Sequence, residues 1–285
     1  MKFNHIVLRG LCAAGIAVST ACAGPSATSS VPAPPQLRHV PNSDMSNNTS
    51  ATIDYYRFET GPSGAKVTKV VDSGTGRHNG TILAGSPTFS SQVPVPIIPH
   101  TGKTDNFSLQ FATGDAASFA FEFPFQTLTA ATLEFWVNPT QINAENDLFW
   151  TTTAVDSGDA NRFNIGITAG GGIFIDYRDP NGVLHQLGST SGGMLTAGEW
   201  SFIAYVKNAN TYKIYVNNSQ TSGVTKLLST VTDTSPNLPT STGWTLNGRS
   251  VEQPNSCCQA SGFIDEIRLS NKALGPKAFL VSPRT

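Results

Sequence analysis

The 285-residue chain is only 13% charged and carries 26 Gly and 18 Pro, a composition of strands and turns rather than of helices. From residue 51 onward 15 Lys and Arg stand against 18 Asp and Glu, with no basic cluster, which excludes nucleic acid as the expected partner. No run of 18 or more apolar residues occurs, so no mature membrane-spanning helix is predicted.

At the N-terminus Lys2 and Arg9 precede the apolar stretch Leu11 to Val18, and the small residues Ser19, Thr20, Ala21, Cys22 and Ala23 follow. Charged, apolar, then small is the order of a secretory signal peptide, predicted here over residues 1–23; a short core helix is the competing reading. Two cleavage chemistries fit. Ala21-Cys22-Ala23 satisfies the small-x-small requirement of ordinary signal peptidase and releases a chain beginning at Gly24. Ser19-Thr20-Ala21-Cys22 instead resembles a bacterial lipobox with Cys22 as the lipidated residue, although Ser19 stands where a large aliphatic is usual. Either way the chain is expected to be exported: secreted, periplasmic, or held at the cell surface as a lipoprotein whose anchor is its only membrane contact. Residues 24–50, rich in Pro, Ser and Asn, have almost nothing to bury and read as a disordered linker.

Beyond residue 50 apolar positions alternate with period 2 in short runs bounded by Gly, Pro, Asn and Ser, the strand signature. In chain order the predicted strands are Ile53 to Glu59, Thr81 to Leu83, Ser108 to Ala112, Ser118 to Phe123, Thr132 to Val137, Leu148 to Thr153 and Arg162 to Thr168. Gly172 to Tyr177, Val183 to Leu187, Trp200 to Val206, Tyr212 to Val216, Leu227 to Val231, Trp244 to Leu246 and Phe263 to Leu269 complete the set. The best helical window, Lys272 to Phe279, is interrupted by Gly275 and Pro276. Many short antiparallel strands must each bury one face, and two facing sheets do so with one core, so residues 51–285 are predicted to be a single all-β sandwich domain.

Several strings in this region carry a resemblance. Tyr55-Tyr56-Arg57-Phe58-Glu59-Thr60, Asp72-Ser73-Gly74 with Asn79-Gly80-Thr81, Ser108-Leu109-Gln110-Phe111 and Leu133-Glu134-Phe135-Trp136-Val137 come first. Gly198-Glu199-Trp200, Tyr212-Lys213-Ile214-Tyr215-Val216-Asn217 and Gly262-Phe263-Ile264-Asp265-Glu266-Ile267-Arg268-Leu269-Ser270 follow. Their order resembles that of laminin-G-like domains of the concanavalin A-like lectin/glucanase superfamily, most closely the bacterial exported type, over roughly residues 50 to 280. The resemblance implies a two-sheet antiparallel jelly roll with its first and last strands adjacent.

Glycoside hydrolysis needs an acid and a second carboxylate on either side of the scissile bond. The superfamily's glucanases carry Glu-x-Asp-x-Glu on one strand, and this chain has no such string. Its nearest pair, Asp265-Glu266, should point to opposite faces of a strand. Glu134 and Asp176 are isolated strand acids that would have to meet across the concave face. Gly-x-Ser-x-Gly is absent, and no two histidines are spaced as zinc ligands. An enzyme is therefore not expected; a diverged glycan hydrolase or lyase is the lesser alternative.

The Gly74 to Gly80 loop supplies a carboxylate at Asp72, a neutral oxygen at Asn79 and glycines that let carbonyls turn inward, a donor set suited to Ca2+. Laminin-G-like relatives often hold calcium at loops joining the sheets, and the resemblance implies that Asp265 completes the shell. The competing reading is an Asp-Ser-Gly turn bonded to itself, with Asp265 pairing an arginine. Cys257 and Cys258 are the only cysteines left in the folded domain of an exported chain. A strained vicinal disulfide forming a rigid apolar knob beside a ligand, two free thiols, and an intermolecular bridge all remain open. Trp150, Tyr177 and Phe149 are candidates for stacking on sugar rings, whereas Trp136, Trp200 and Trp244 match the family strings and read as core. The predicted activity is non-catalytic binding of glycan at a loop edge or on the concave sheet, with Trp150, Tyr177, Cys257 and Cys258 as ligand-binding candidates. A cell-surface adhesive protein that binds an extracellular protein is the alternative.

Overall fold

The computed structural model describes residues 51–112, 115–119, 125–151, 160–239, 244–247 and 258–282. The signal peptide expected over residues 1–23, Cys22 with its lipidation, the linker 24–50 and Cys257 lie outside the described residues. Sixteen strands run through the described part: β1 (Thr52–Tyr56), β2 (Lys69–Val70), β3 (Gly80–Ala84), β4 (Thr88–Ser90), β5 (Ser108–Phe111), β6 (Ala116–Phe119), β7 (Ala130–Pro139) and β8 (Asn146–Thr151). They continue with β9 (Arg162–Ile167), β10 (Ile173–Arg178), β11 (Leu184–Ser189), β12 (Ser201–Asn208), β13 (Thr211–Asn217), β14 (Lys226–Thr232), β15 (Trp244–Leu246) and β16 (Gly262–Ser270). Each predicted strand is present over its described residues; 120–123 of the predicted Ser118 to Phe123 and 152–153 of the predicted Leu148 to Thr153 lie outside them. The window Lys272 to Phe279 forms only a 3-10 turn at Pro276–Ala278, because Gly275 and Pro276 break a helix before it completes two turns.

All pairings are antiparallel and build two eight-stranded sheets. The first has the order β14-β13-β12-β7-β16-β5-β4, with β1 also on β16; the second has the order β11-β10-β9-β8-β15-β6-β3-β2. The first and last strands are thus neighbours, with Tyr56 opposite Ile267, as the resemblance implied. Period-2 alternation decides which side chains meet between the sheets. Phe135 and Tyr205 of the first sheet pack there with Phe149, Phe163, Ile165 and Ile175 of the second. The Phe135 and Phe149 ring centroids are 5.0 Å apart. Truncating such a buried ring to alanine typically costs about 3–5 kcal/mol.

A second apolar cluster covers the other face of the first sheet, where Tyr55, Trp136, Phe202 and Tyr215 meet Ile98, Phe279 and Leu280. The C-terminal segment therefore lies across that face and closes it. β16 is not a regular strand throughout: its register with β7 shifts between Asp265 and Arg268. Glu266 at the shift adopts a left-handed backbone, φ 51°.

Candidate functional site

The Asp72 loop is the first of the anticipated sites. Asp72 Oδ1 accepts from the amides of Tyr55 (2.8 Å) and Gly74 (2.6 Å), and Oδ2 accepts from the amide of His78 (2.7 Å). Asn79 Oδ1 in turn accepts from the Asp72 amide at 3.0 Å. Both side chains accept from backbone amides, of the loop and, through Tyr55, of β1, and ligand atoms of Asp54, Asp72 and His78 lie within 4.8 Å of one another. The acid beside Asp72 is Asp54, whose Oδ1 lies 2.7 Å from His78 Nδ1. Burial and the neighbouring Asp72 push the Asp54 carboxyl up to about 7 against the pull of His78. Asp265, expected to complete this group, faces a different set of acids. Gly74 fits the loop because a Cβ there would stand 2.2 Å from the Ile53 carbonyl oxygen and 2.8 Å from the Asp54 Cα. Gly74→Ala must therefore displace backbone of β1, and a loss of about 1–3 kcal/mol in a chemical-denaturation titration is the expected result.

Asp265 and Glu266 belong to a cluster with Glu59 and Asp105. Strict alternation would separate the two adjacent acids, and the register shift with the left-handed Glu266 removes that alternation, so the expectation of opposite faces is corrected. Ligand atoms of Glu59, Asp105 and Glu266 lie within 4.8 Å of one another. Glu266 is held by Arg57 Nε at 2.8 Å and by the Tyr55 hydroxyl. Asp265 Oδ1 accepts from the Glu266 amide at 2.8 Å. Glu59 accepts from the amides of Asn106 and Phe107. What remains is crowded: Asp105 Oδ1 and Oδ2 and Asp265 Oδ2 are buried, and the Asp105 and Asp265 carboxyls face each other closely enough to share a proton. Burial, reinforced by Glu266, pushes Asp105 up to about 8, and burial with Asp105 and Glu266 pushes Asp265 well above the carboxylate range.

The anticipated aromatic platforms are corrected by their burial. Trp150 is 1% exposed and Tyr177 is fully buried, so neither offers a free ring face to a sugar. Alternation turns the Tyr177 ring inward, where it stacks on His185 (centroids 4.3 Å, 10° between planes) and its hydroxyl donates to Asp233 Oδ2 at 2.5 Å. Phe149 is likewise core. Glu134 and Asp176 do not meet either, since β7 lies in the first sheet and β10 in the second. Cys258, with a left-handed φ of 70°, places its carbonyl on the Asp147 amide at 2.7 Å, while its anticipated partner Cys257 lies outside the described residues.

The outer face of the second sheet carries a concentration of unmatched polar atoms. Arg162 sits opposite Arg178, and Asn164 opposite Asp176, across β9 and β10. Trp150 of β8 is opposite Asn164, and Thr245 of β15 is opposite Trp150. These residues share one face because each is an even number of positions from the next on its strand. The Arg162 guanidinium lies 4.5 Å over the Trp150 ring, and Asn164 Nδ2 donates to Asp147 Oδ1 at 2.8 Å. Arg162 Nε, Asn164 Oδ1, Asp176 Oδ1 and Arg178 Nε are all buried without a partner. Each such atom costs about 1–3 kcal/mol, and native folds keep few of them. Those atoms are shielded from solvent, so what this face offers a ligand is the half-buried pair Asp176 and Arg178, an acceptor and a donor two positions apart on β10. Burial raises the Asp176 carboxyl to about 6, against the pull of Arg162. Sequence reasoning did not find this patch, because Arg162 and Asn164 acquire their meaning only through cross-strand register.

The Laminin_G_3 family model, described as concanavalin A-like lectin/glucanases superfamily, matches residues 111–278, more than half of the chain. No curated protein sequence matches. Among solved structures, domain 4 of the extracellular arabinanase AbnA from Geobacillus stearothermophilus, in complex with arabinotriose, is 15% identical with a TM-score of 0.54, covering 80% of this chain and 95% of that one. The receptor binding domain of botulinum neurotoxin mosaic serotype C/D is 14% identical with a TM-score of 0.51; 79% of this chain covers 48% of that one. The CBM40 of the Ruminococcus gnavus IT-sialidase, bound to α2,3 sialyllactose, is 14% identical with a TM-score of 0.49, covering 62% and 96%.

Proposed function

The chain belongs to the Laminin_G_3 family of the concanavalin A-like lectin/glucanases superfamily, and from that premise we propose that it is an exported, non-catalytic module that binds glycan on the outer face of its second sheet. The observation that carries this reading is the half-buried carboxyl and guanidinium of Asp176 and Arg178 side by side on that face, with Arg162 and Asn164 opposite them across β9 and β10. Sugar hydroxyls both donate and accept, so one saccharide ring can satisfy guanidinium donors and carboxyl or amide acceptors together. The likeness to an arabinotriose-bound domain lends the same reading support. Catalysis has less: Glu134 is tied to Arg268, and the Glu134 and Asp176 carboxyls sit on separate sheets. No release of reducing sugar is expected on any glycan bound.

A cation belongs to the proposal. Oxygen donors of Glu59, Asp105 and Glu266, within 4.8 Å of one another and with Asp265 beside Asp105, fit a hard divalent ion such as Ca2+. Bound there, the ion would neutralise acids that otherwise repel one another and fix β1 to β16 beside β5. Its role is structural support of the sandwich.

A glycan array followed by calorimetric titration of the best hit tests the binding reading. Asp176→Asn with Arg178→Ala should weaken affinity by about 10-fold or more, since a hydrogen bond to a charged group contributes about 1.5–3 kcal/mol. Arg178 Nη1 also donates to the Gly182 carbonyl at 3.1 Å, so the melting temperature should fall slightly while the half-buried positions leave the domain folded at the titration temperature. Affinity should also fall as pH drops through about 6, where the Asp176 carboxylate takes up a proton. Absence of any glycan hit, or a double variant with parental affinity, overturns the reading.

A further inference from the structure

A cavity of about 710 Å³ opens at the β1 edge, away from the polar patch of the second sheet, and its lining includes Tyr55, Ser73, Thr75, Arg77, His100 and Lys103. We infer that this cavity is a second binding site, specific for the carboxylate of an acidic sugar such as a uronic acid residue. The inference rests on the glycan reading and adds to it a ligand charge and a separate place on the fold.

The volume lies in the range of small-molecule sites. Its walls are built rather than loose. On one side Asp72 pins the loop that bears Ser73, Thr75 and Arg77 through three backbone amides, and Thr75 Oγ1 donates to the Thr52 carbonyl at 2.9 Å. On the other side the turn bearing Lys103 closes on itself, the Ile98 amide donating to the Lys103 carbonyl at 2.9 Å and the Gly102 amide to the Ile98 carbonyl at 2.8 Å. Preorganised walls lower the ordering cost of binding.

The lining chemistry separates into two kinds. Arg77 and Lys103 are exposed cations, and Lys103 Nζ stands 5.9 Å from the centre of the Tyr55 ring, which forms part of the wall. Arg268 also lines the cavity, its charge already matched by Glu134. Among the described residues no acidic side chain lines it. The hydroxyls complement these cations. Ser73 Oγ donates to the Tyr55 carbonyl and Thr75 Oγ1 to the Thr52 carbonyl, so each has its proton committed and presents lone pairs. Cationic donors for a carboxylate, set among acceptors for hydroxyl protons, suit a ring that carries both groups. Inorganic sulfate or phosphate could use only the donors.

The test is calorimetric titration of the mature protein with trigalacturonate, with its fully methyl-esterified counterpart, and with sulfate as competitor. Trigalacturonate should bind at least 10-fold more tightly than the ester, and the preference should shrink as salt is raised. Arg77→Ala with Lys103→Ala, both exposed and remote from the core, should abolish the preference, whereas Asp176→Asn with Arg178→Ala should leave it intact. Equal binding of acid and ester, a preference that survives loss of both cations, or displacement by sulfate at equal concentration overturns the inference. If neutral oligosaccharides bind but no acid preference exists, the second site alone fails. If no saccharide binds, neutral or acidic, the glycan reading fails with it.

Discussion

Glu134→Ala should lower the unfolding free energy by about 3–5 kcal/mol, the usual cost of removing one partner from a buried ion pair. Glu134 is fully buried on β7, where Oε1 accepts from Arg268 Nε at 2.6 Å and Oε2 accepts from the Leu280 amide at 2.8 Å. Burial raises its carboxyl while Arg268 and the Leu280 amide hold it down, so the pair is the reason an acid can stay there at all. Arg268 Nη2 also donates to the Ala278 carbonyl at 2.8 Å. The two side chains therefore clip the C-terminal segment onto the first sheet, under Phe279 and Leu280. Alanine leaves the arginine charge buried and the clip open. At about 2–4 °C per kcal/mol for a domain of this size, the melting temperature should fall by roughly 10 °C. Glu134→Leu combined with Arg268→Met should regain much of that loss, since a buried pair replaced by apolar side chains of similar volume is often neutral. A single-variant loss below about 1 kcal/mol, the level of a surface pair, would show that the pair is not buried in solution.

The same glutamate shows what the sequence could reveal and what it could not. Alternation marked every long strand, Thr132 to Val137 among them, because one buried face repeats every second residue. β2 and β4 escaped because two or three residues cannot display a period. Isolated acids on strands invited a search for a catalytic pair, yet a strand assignment does not say which sheet a strand joins, and β7 and β10 join different ones. Trp150 was legible as an aromatic on a strand, and its burial beneath Arg162 was not. The acidic cluster was half legible. Asp265 was identified as an oxygen donor, but its true neighbours depend on a register shift at Glu266 that no residue type there announces. Asp105 lies outside the strands, in a stretch without periodicity, and only the fold brings it to Asp265.

That cluster makes the second large prediction, which concerns pH and cation together. In the unfolded chain these acids titrate near 4. In the cation-free fold Glu266 is pushed up to about 7 and Asp105 to about 8, and Asp265 is also raised well above the carboxylate range, in each case chiefly by burial. Between about pH 4 and 8 the fold thus holds protons that the unfolded chain has released, and stability must fall as pH rises. Their contribution is complete below pH 4 and lost as pH climbs through 7 and 8. Ca2+ inverts this dependence, because it binds the ionised acids and displaces those protons. Chelation should accordingly cost little at pH 5.5 and most at pH 8. With free Ca2+ at 100 times its Kd the loss is about 2.7 kcal/mol, or roughly 5–10 °C in melting temperature. Asp105→Asn should erase the chelator response at pH 8. Asp72→Asn should lower stability by breaking the loop's amide bonds but preserve the response, since Asp72 Oδ1 and Oδ2 serve Tyr55, Gly74 and His78. The opposite pattern, with Asp72→Asn abolishing the response and Asp105→Asn retaining it, would move the ion to the Asp72 loop, and a melt unmoved by chelator at pH 8 would remove it from both.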